Sequence, residues 1–171
     1  MANNLRIDNH LDDGNSLITL AGHLMGTYGN TIPDKSSPST YLKFLTEVLQ
    51  VTLKGKGDPN VIYPRLRDNL NLVNDNLVVA LRNWARETLP NSDSQDIRIS
   101  IREVVGNFCN AIRQFPVGNR ASNLEIAIAG YEVALTVFTR QEYAEDWAAT
   151  QNHLGATSSN RIKGEKPDNK C

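Results

Sequence analysis

The sequence has few of the residues from which catalytic and metal centres are built. Its 171 residues include three histidines and two cysteines, one of which, Cys171, is the last residue. Two cysteines define no disulfide framework, and the histidines do not have the spacing of metal ligands. The glycine-rich phosphate loop, the nucleophile elbow and the zinc-binding His-Glu-x-x-His motif do not occur. We therefore expect a protein that is not an enzyme and needs no cofactor or metal.

Strong charge of either sign and long hydrophobic runs are also missing. The formal net charge is −1, which gives no indication of a nucleic-acid or membrane partner. No apolar run reaches the roughly 18 residues of a membrane span, and the N-terminus has no charged-then-apolar signal pattern. The hydrophobic content of 40% is sufficient for one core. These features predict a cytoplasmic protein with one domain, or one domain with a short appendage.

What the chain does have is a helical period in its apolar residues, and no segment alternates convincingly as a half-buried strand would. Residues 1–38 are polar and contain one short helical pattern, between Leu17 and Tyr28. Residues 39–91 form a helical region, and residues 92–171 contain the most regular patterns. The sequence therefore predicts an all-α protein of about six to eight helices. The cleanest predicted face consists of Leu77, Val78, Leu81, Trp84, Ala85 and Thr88.

Capping residues predict where several helices begin. Asp58-Pro59 resembles an N-cap followed by proline at the first helical position. Pro64 complicates that start, because proline removes a hydrogen bond inside a helix, and we expect the helix to begin near Pro64 or to be kinked there. Ser92 and Gln95 can form a capping box, and a second box, Ser122-x-x-Glu125, is predicted to open the following helix.

The segment from Gly118 to about Lys166 has a more particular pattern. Ala127-Ile128, Tyr131 and Ala134-Leu135 stand at offsets 0, 4 and 7, and a run from Trp147 to Gly155 follows. This pattern resembles the tetratricopeptide repeat, and especially the long-loop repeats of cyanobacterial proteins that often carry a caspase-like CHAT domain. The resemblance implies helical hairpin repeats that form an α-solenoid after additional helices. It also implies that two backbones approach closely at Gly155.

The resemblance assigns the repeat boundaries within residues 92–171. Residues 101–115 and 122–139 become the two helices of one degenerate repeat, and residues 147–162 become the first helix of the next. Ser158 stands where such repeats usually have tyrosine. A solenoid needs a capping helix over its last apolar face. We therefore expect either that residues 147–162 cap the fold or that the last repeat is incomplete and the sequence is part of something longer.

One polar set is the candidate binding site. In repeats of this class the first helices line the concave groove, and arginine and asparagine there can hold a carboxylate and a peptide backbone. A solvated helix face is the alternative interpretation. The candidate groove residues are Arg102, Asn110, Arg113, Asn152 and Ser159.

The remaining notable side chains are interpreted as packing residues. Cys109 is expected to be buried rather than a reactive thiol, since free cysteine is so often buried. Trp84 and Trp147 lie on apolar faces and are expected in the core or at its rim. His153 has no partner at metal-ligand spacing and is not expected to be a ligand.

The leading functional hypothesis is a non-catalytic helical scaffold or adaptor that binds a protein or peptide with an acidic or carboxylate end. The alternative is a regulatory or sensor module, detached from a CHAT-type protease or a conflict-system protein. Self-association through the C-terminal helix is also expected. Its surface would be an apolar strip formed by Ala148, Leu154 and either Ala149 or Ile162.

Overall fold

The computed structural model describes residues 37–90, 95–137 and 139–164. In these ranges the chain forms six α-helices and one short 3-10 turn, Leu70–Leu72, and no strand. The prediction of an all-α protein is therefore confirmed for the described residues. The predicted helix between Leu17 and Tyr28 and the capping role of Ser92 fall outside them. The helices are α1 (Pro38–Lys54), α2 (Pro59–Arg67), α3 (Asp75–Thr88), α4 (Gln95–Gln114), α5 (Arg120–Val137) and α6 (Ala144–Gly164).

The start of α2 agrees with the cap predicted at Asp58-Pro59. Asp58 caps it by accepting a hydrogen bond from the Asn60 amide at 2.9 Å, and Pro59 takes the first helical position. The helix then continues through Pro64, so a start near Pro64 is wrong. Proline at this position removes the hydrogen bond to the Asn60 carbonyl. Both residues are exposed, so water can satisfy that carbonyl.

The start of α5 is set by a different residue from the one predicted. The Asn119 side-chain oxygen accepts hydrogen bonds from two backbone amides of the first turn, at 2.9 and 3.2 Å. The helix therefore begins at Arg120, and the predicted capping box of Ser122 and Glu125 is wrong. Instead, the Ser122 hydroxyl donates to a carboxylate at the start of α3, and Glu125 pairs with an arginine in α6. These two side chains connect helices rather than cap one.

Helix α5 lies at the centre of the fold. It packs against α3, α4 and α6, and almost every residue from Asn123 to Ala134 is buried. A helix that is apolar on all sides must be covered on all sides, which explains this position. Helix α1 packs against α2, α3 and α4, so the helices before and after residue 92 share one hydrophobic core. The predicted apolar face of α3 is buried as expected, with Val78 half-buried.

The closest approach of two helices lies between α4 and α5. A Cβ atom on Gly130 would stand 2.1 Å from the sulfur of Cys109, so the crossing requires glycine at this position. Gly155 is exposed, and no heavy atom of another described helix lies within 4 Å of the place where its Cβ would stand. The predicted close approach at Gly155 is therefore wrong, because the outer face of α6 meets no other described helix there.

The same crossing explains the chemistry of Cys109. The side chain is completely buried, and this burial raises the pKa of the thiol well above its usual range. A thiol that stays protonated is a poor nucleophile. The prediction that Cys109 is a packing residue is confirmed.

Candidate functional site

An open apolar groove lies between α1 and α3. It has a volume of about 180 Å³, and its walls come from the first turn of α1 and from most of the length of α3. Three of its lining residues are polar, namely Asn76, Asn83 and Glu87. The apolar lining residues are Pro38, Tyr41, Leu42, Val79, Ala80 and Trp84.

The groove follows from the helical spacing of its residues. On α3, Asn76, Val79, Asn83 and Glu87 are three or four positions apart, so they form one continuous row along the helix. This row borders the buried face of α3, to which Trp84 belongs. Val79 and Trp84 both line the groove, so part of the apolar surface of α3 is not covered by α1.

Val79 is the feature that distinguishes this groove from an ordinary helix surface. It is 56% exposed, and the only other large hydrophobic residue described as exposed is Val61, at 44%. Its neighbours in the groove include Tyr41 and Trp84, which are almost completely buried. An aliphatic side chain thus stands at the mouth of a depression with an aromatic base.

The position of Tyr41 is fixed by hydrogen bonds at one end of the groove. Its hydroxyl accepts from the side-chain amides of Asn74 and Asn76, at 2.9 and 3.4 Å. Asn74 is also the N-cap of α3, where its side-chain oxygen accepts from the Asn76 backbone amide at 2.9 Å. The same two asparagines therefore begin α3 and hold the ring of Tyr41 in place.

The five residues that the sequence predicts as a peptide-binding groove do not form one uniform surface. Arg102 is paired with Asp146 in α6, with 2.6 Å between guanidinium nitrogen and carboxylate oxygen. The side-chain oxygen of Asn110 accepts a hydrogen bond from the Tyr131 hydroxyl at 2.7 Å. Two of the five residues thus join helices to each other. The other three are Arg113, which is half-buried beside Tyr131, and Asn152 and Ser159, which are exposed on α6.

Tyr131 interacts with two of these five residues, Asn110 and Arg113. Its ring is 2% exposed and stacks on His153 of α6, with 5.8 Å between ring centroids. Burial raises the pKa of its hydroxyl, the nearby Cys109 adds to this, and Arg113 opposes it. The hydroxyl therefore stays neutral and donates to Asn110. His153, for which no ligand role was expected, packs against an aromatic ring.

The C-terminal helix only partly matches the predicted apolar strip. Ala148 and Ala149 are exposed as expected, whereas Leu154 is half-buried and packs against the core. The position of Leu154 on an outer strip is therefore wrong, and the side chain of Ile162 lies outside the described residues. Trp147 is half-buried, with the guanidinium of Arg140 5.8 Å from its ring, so it belongs to the rim of the core.

Among the described residues, no group of three or more histidine, cysteine, aspartate or glutamate side chains is placed to hold a metal ion. None of the helices described here combines the length and the apolar character that crossing a membrane requires.

Comparison with known proteins finds no matching family model, no matching curated protein and no matching solved structure. The likeness to tetratricopeptide repeats therefore rests on the residues of this chain alone. Function has to be inferred from its own surfaces.

Proposed function

We propose that the protein is a non-catalytic helical scaffold that binds a segment of another protein in the groove between α1 and α3. The observation that carries this proposal is the exposed Val79 at the mouth of an apolar groove with Trp84 and Tyr41 at its base. Contiguous apolar grooves are frequent interaction sites, and aromatic side chains dominate the binding energy where they line such a site. A groove between two helices is a common receptor for an amphipathic helix.

The lining residues define the chemistry of the partner. Its anchor is an apolar side chain that covers Val79 and reaches the ring of Trp84. Asn76 and Asn83 can exchange hydrogen bonds with polar groups beside the anchor. The expected partner segment is thus amphipathic, with polar groups beside its apolar anchor.

The repeat architecture belongs to the same proposal. Helices α4 and α5 would be the two helices of one tetratricopeptide-like repeat, and α6 would be the first helix of the next. The packing of α4 on α5 and of α5 on α6 supports this assignment. A partner with an acidic or carboxylate end would then use the surface that carries Arg113, Asn152 and Ser159. A cytoplasmic location, and self-association through the face of α6 that exposes Ala148 and Ala149, complete the proposal.

The test compares two exposed valines on the full chain. A displayed library of random peptides is selected on the wild-type protein, and binding of the selected peptides is then measured to Val79→Glu and Val61→Glu. We expect Val79→Glu to weaken binding by about tenfold or more, because it places a carboxylate in an apolar groove. Val61→Glu is the matched control, since it adds the same charge to an exposed valine outside the groove. Equal binding to both variants, or no selected peptide at all, would overturn the proposal.

A further inference from the structure

A second cavity lies where α4 turns into α5, away from the α1–α3 groove. Its volume is about 470 Å³, within the range of roughly 300–1,000 Å³ that is usual for small-molecule sites. Its walls are the end of α4, residues 115–118 and the first turns of α5. Arg113 and Arg120 line it, and none of its described lining residues is acidic. The cavity therefore favours an anion.

Asn123 lies in the wall of this cavity with a fixed orientation. The residue is 1% exposed, and its amide nitrogen donates to the carbonyls of Phe115 and Val117, at 3.3 and 3.0 Å. Turning the amide over would bring its oxygen against these two carbonyl oxygens, so the amide cannot reverse. The oxygen is thereby directed towards Gly118, where an added Cβ would stand 3.9 Å away.

One buried polar atom at this cavity lacks a hydrogen-bond partner among the described residues. It is the side-chain oxygen of Asn123, which is an acceptor. Such groups are rare in folded proteins, and each one calls for an explanation. The carbonyl of Arg113 accepts a hydrogen bond from the Arg120 guanidinium, which keeps this cation at the cavity, whereas the Arg113 guanidinium lies beside Tyr131. The site thus offers positive charge next to an unused acceptor.

We propose that this cavity binds a carboxylate that carries an amide N–H on the adjacent carbon, as in an N-acylated amino acid or the last residue of a peptide. The carboxylate pairs with Arg120, and the N–H donates to Asn123. The side chain of the ligand rests on Pro116 and Val117. An anion without the N–H would leave the Asn123 oxygen unsatisfied.

Ligand entry requires a movement of residues 115–118. The unpartnered oxygen of Asn123 is shielded from solvent, so the ligand must displace part of the wall to reach it. Gly118 lies in this wall at a φ of 84°, where a side chain would be strained. Backbone amide signals of residues 115–118 are therefore the expected reporters of binding. This inference does not depend on the α1–α3 groove, because the two cavities share no lining residue.

The experiment is an NMR titration of the ¹⁵N-labelled full chain with N-acetyl-L-valine, its methyl ester and its N-methyl analogue. The ester lacks the anionic charge and the N-methyl analogue lacks the donor. We expect N-acetylvaline to shift the Val117 and Gly118 amides and the side-chain amide of Asn123. Each analogue should bind about tenfold more weakly or worse, because each loses a contact to a buried or charged group. This comparison uses the unmodified protein, so no variant has to fold.

A peptide ending in valine separates the two sources of the ligand. Tighter binding of the peptide than of N-acetylvaline would identify a chain terminus, and weaker binding would identify a free acylated amino acid; both agree with the proposal. Arg120→Gln should weaken binding about tenfold, because a charge-assisted hydrogen bond is lost. Arg67→Gln, at an exposed arginine in α2, should leave binding unchanged.

Several results would overturn the proposal. They are no shift at about ten millimolar ligand, shifts outside the cavity, equal affinity for the acid and its ester, or equal affinity for N-acetylvaline and inorganic phosphate. The last result would show an anion site that does not use Asn123.

Discussion

The two sides of this helical fold use their side chains in opposite ways. On the α4–α6 side, polar residues that suggest a binding groove are partly taken up by contacts between helices, as Arg102 is with Asp146 and Asn110 with Tyr131. On the α1–α3 side, polar residues hold Tyr41 in place and leave Val79 uncovered. An arginine or asparagine on a helix face is therefore weak evidence for a ligand. An apolar residue that remains exposed beside aromatic rings is better evidence.

The difference has a physical origin. A polar side chain on a helix can form a hydrogen bond or ion pair with a neighbouring helix. Such a contact stabilises the fold when it is partly buried. An exposed valine has no such internal partner, so its apolar surface stays in contact with water until another molecule covers it. The α1–α3 groove is therefore available for binding, while Arg102 and Asn110 must first give up an existing contact.

The largest expected effect concerns the packing that fixes the α4–α6 side. Gly130→Val should lower the free energy of unfolding by about 3 kcal/mol, since its Cβ alone would overlap the sulfur of Cys109. Adding Cys109→Ala should recover part of the loss, because it removes the overlapping atom. Both are measured by denaturant unfolding.

Gly155→Ala provides the control for this prediction on the outer face of α6. It should raise stability by about 0.5–1 kcal/mol, because alanine favours the helix and open space surrounds its Cβ. If Gly130→Val is as stable as Gly155→Ala, the α4–α5 crossing is not as close as described.

A smaller effect is expected from the hydroxyl that connects α5 to α4. Tyr131→Phe should lower stability by about 1 kcal/mol at neutral pH, because Asn110 loses its donor. The pKa values of Tyr131 and Cys109 are both raised in the folded chain, so the unfolded chain releases these protons first. The stability that these two groups contribute is therefore fully present below about pH 9, and it is lost as the pH rises beyond that value.

Two variants separate the contributions of Cys109 and Tyr131 to this loss of stability at high pH. Cys109→Ala should remove the part that begins near pH 9, and Tyr131→Phe the part that begins near pH 10, where tyrosine titrates in an unfolded chain. Unfolding curves between pH 7 and 11 measure both. An unchanged slope in Tyr131→Phe would mean that its hydroxyl reaches solvent.

Much of the fold could be predicted from the sequence because it depends on local periodicity and capping. The buried face of α3 and the proline-started α2 are of this kind. The pairing of helices could not be predicted in the same way. A repeating pattern of small residues indicates that two helices cross closely, but it does not distinguish Gly130 from Gly155. Val79 was visible in the sequence as an apolar residue beside the predicted face of α3, and this signal could have identified the groove.

The smallest expected effect concerns the ion pair between Arg102 and Asp146. Arg102 and Asp146 are both partly exposed, and such ion pairs contribute about 0–1 kcal/mol. We expect a double-mutant cycle of Arg102→Gln and Asp146→Asn to give a coupling of about 0.5 kcal/mol, measured by unfolding at low and high salt. A coupling near zero would mean that an acidic partner can take Arg102 from Asp146 at little cost, which would restore Arg102 to the predicted peptide surface. A coupling above about 1 kcal/mol would instead mark Arg102 as a structural residue and leave the α1–α3 groove as the better site for a partner.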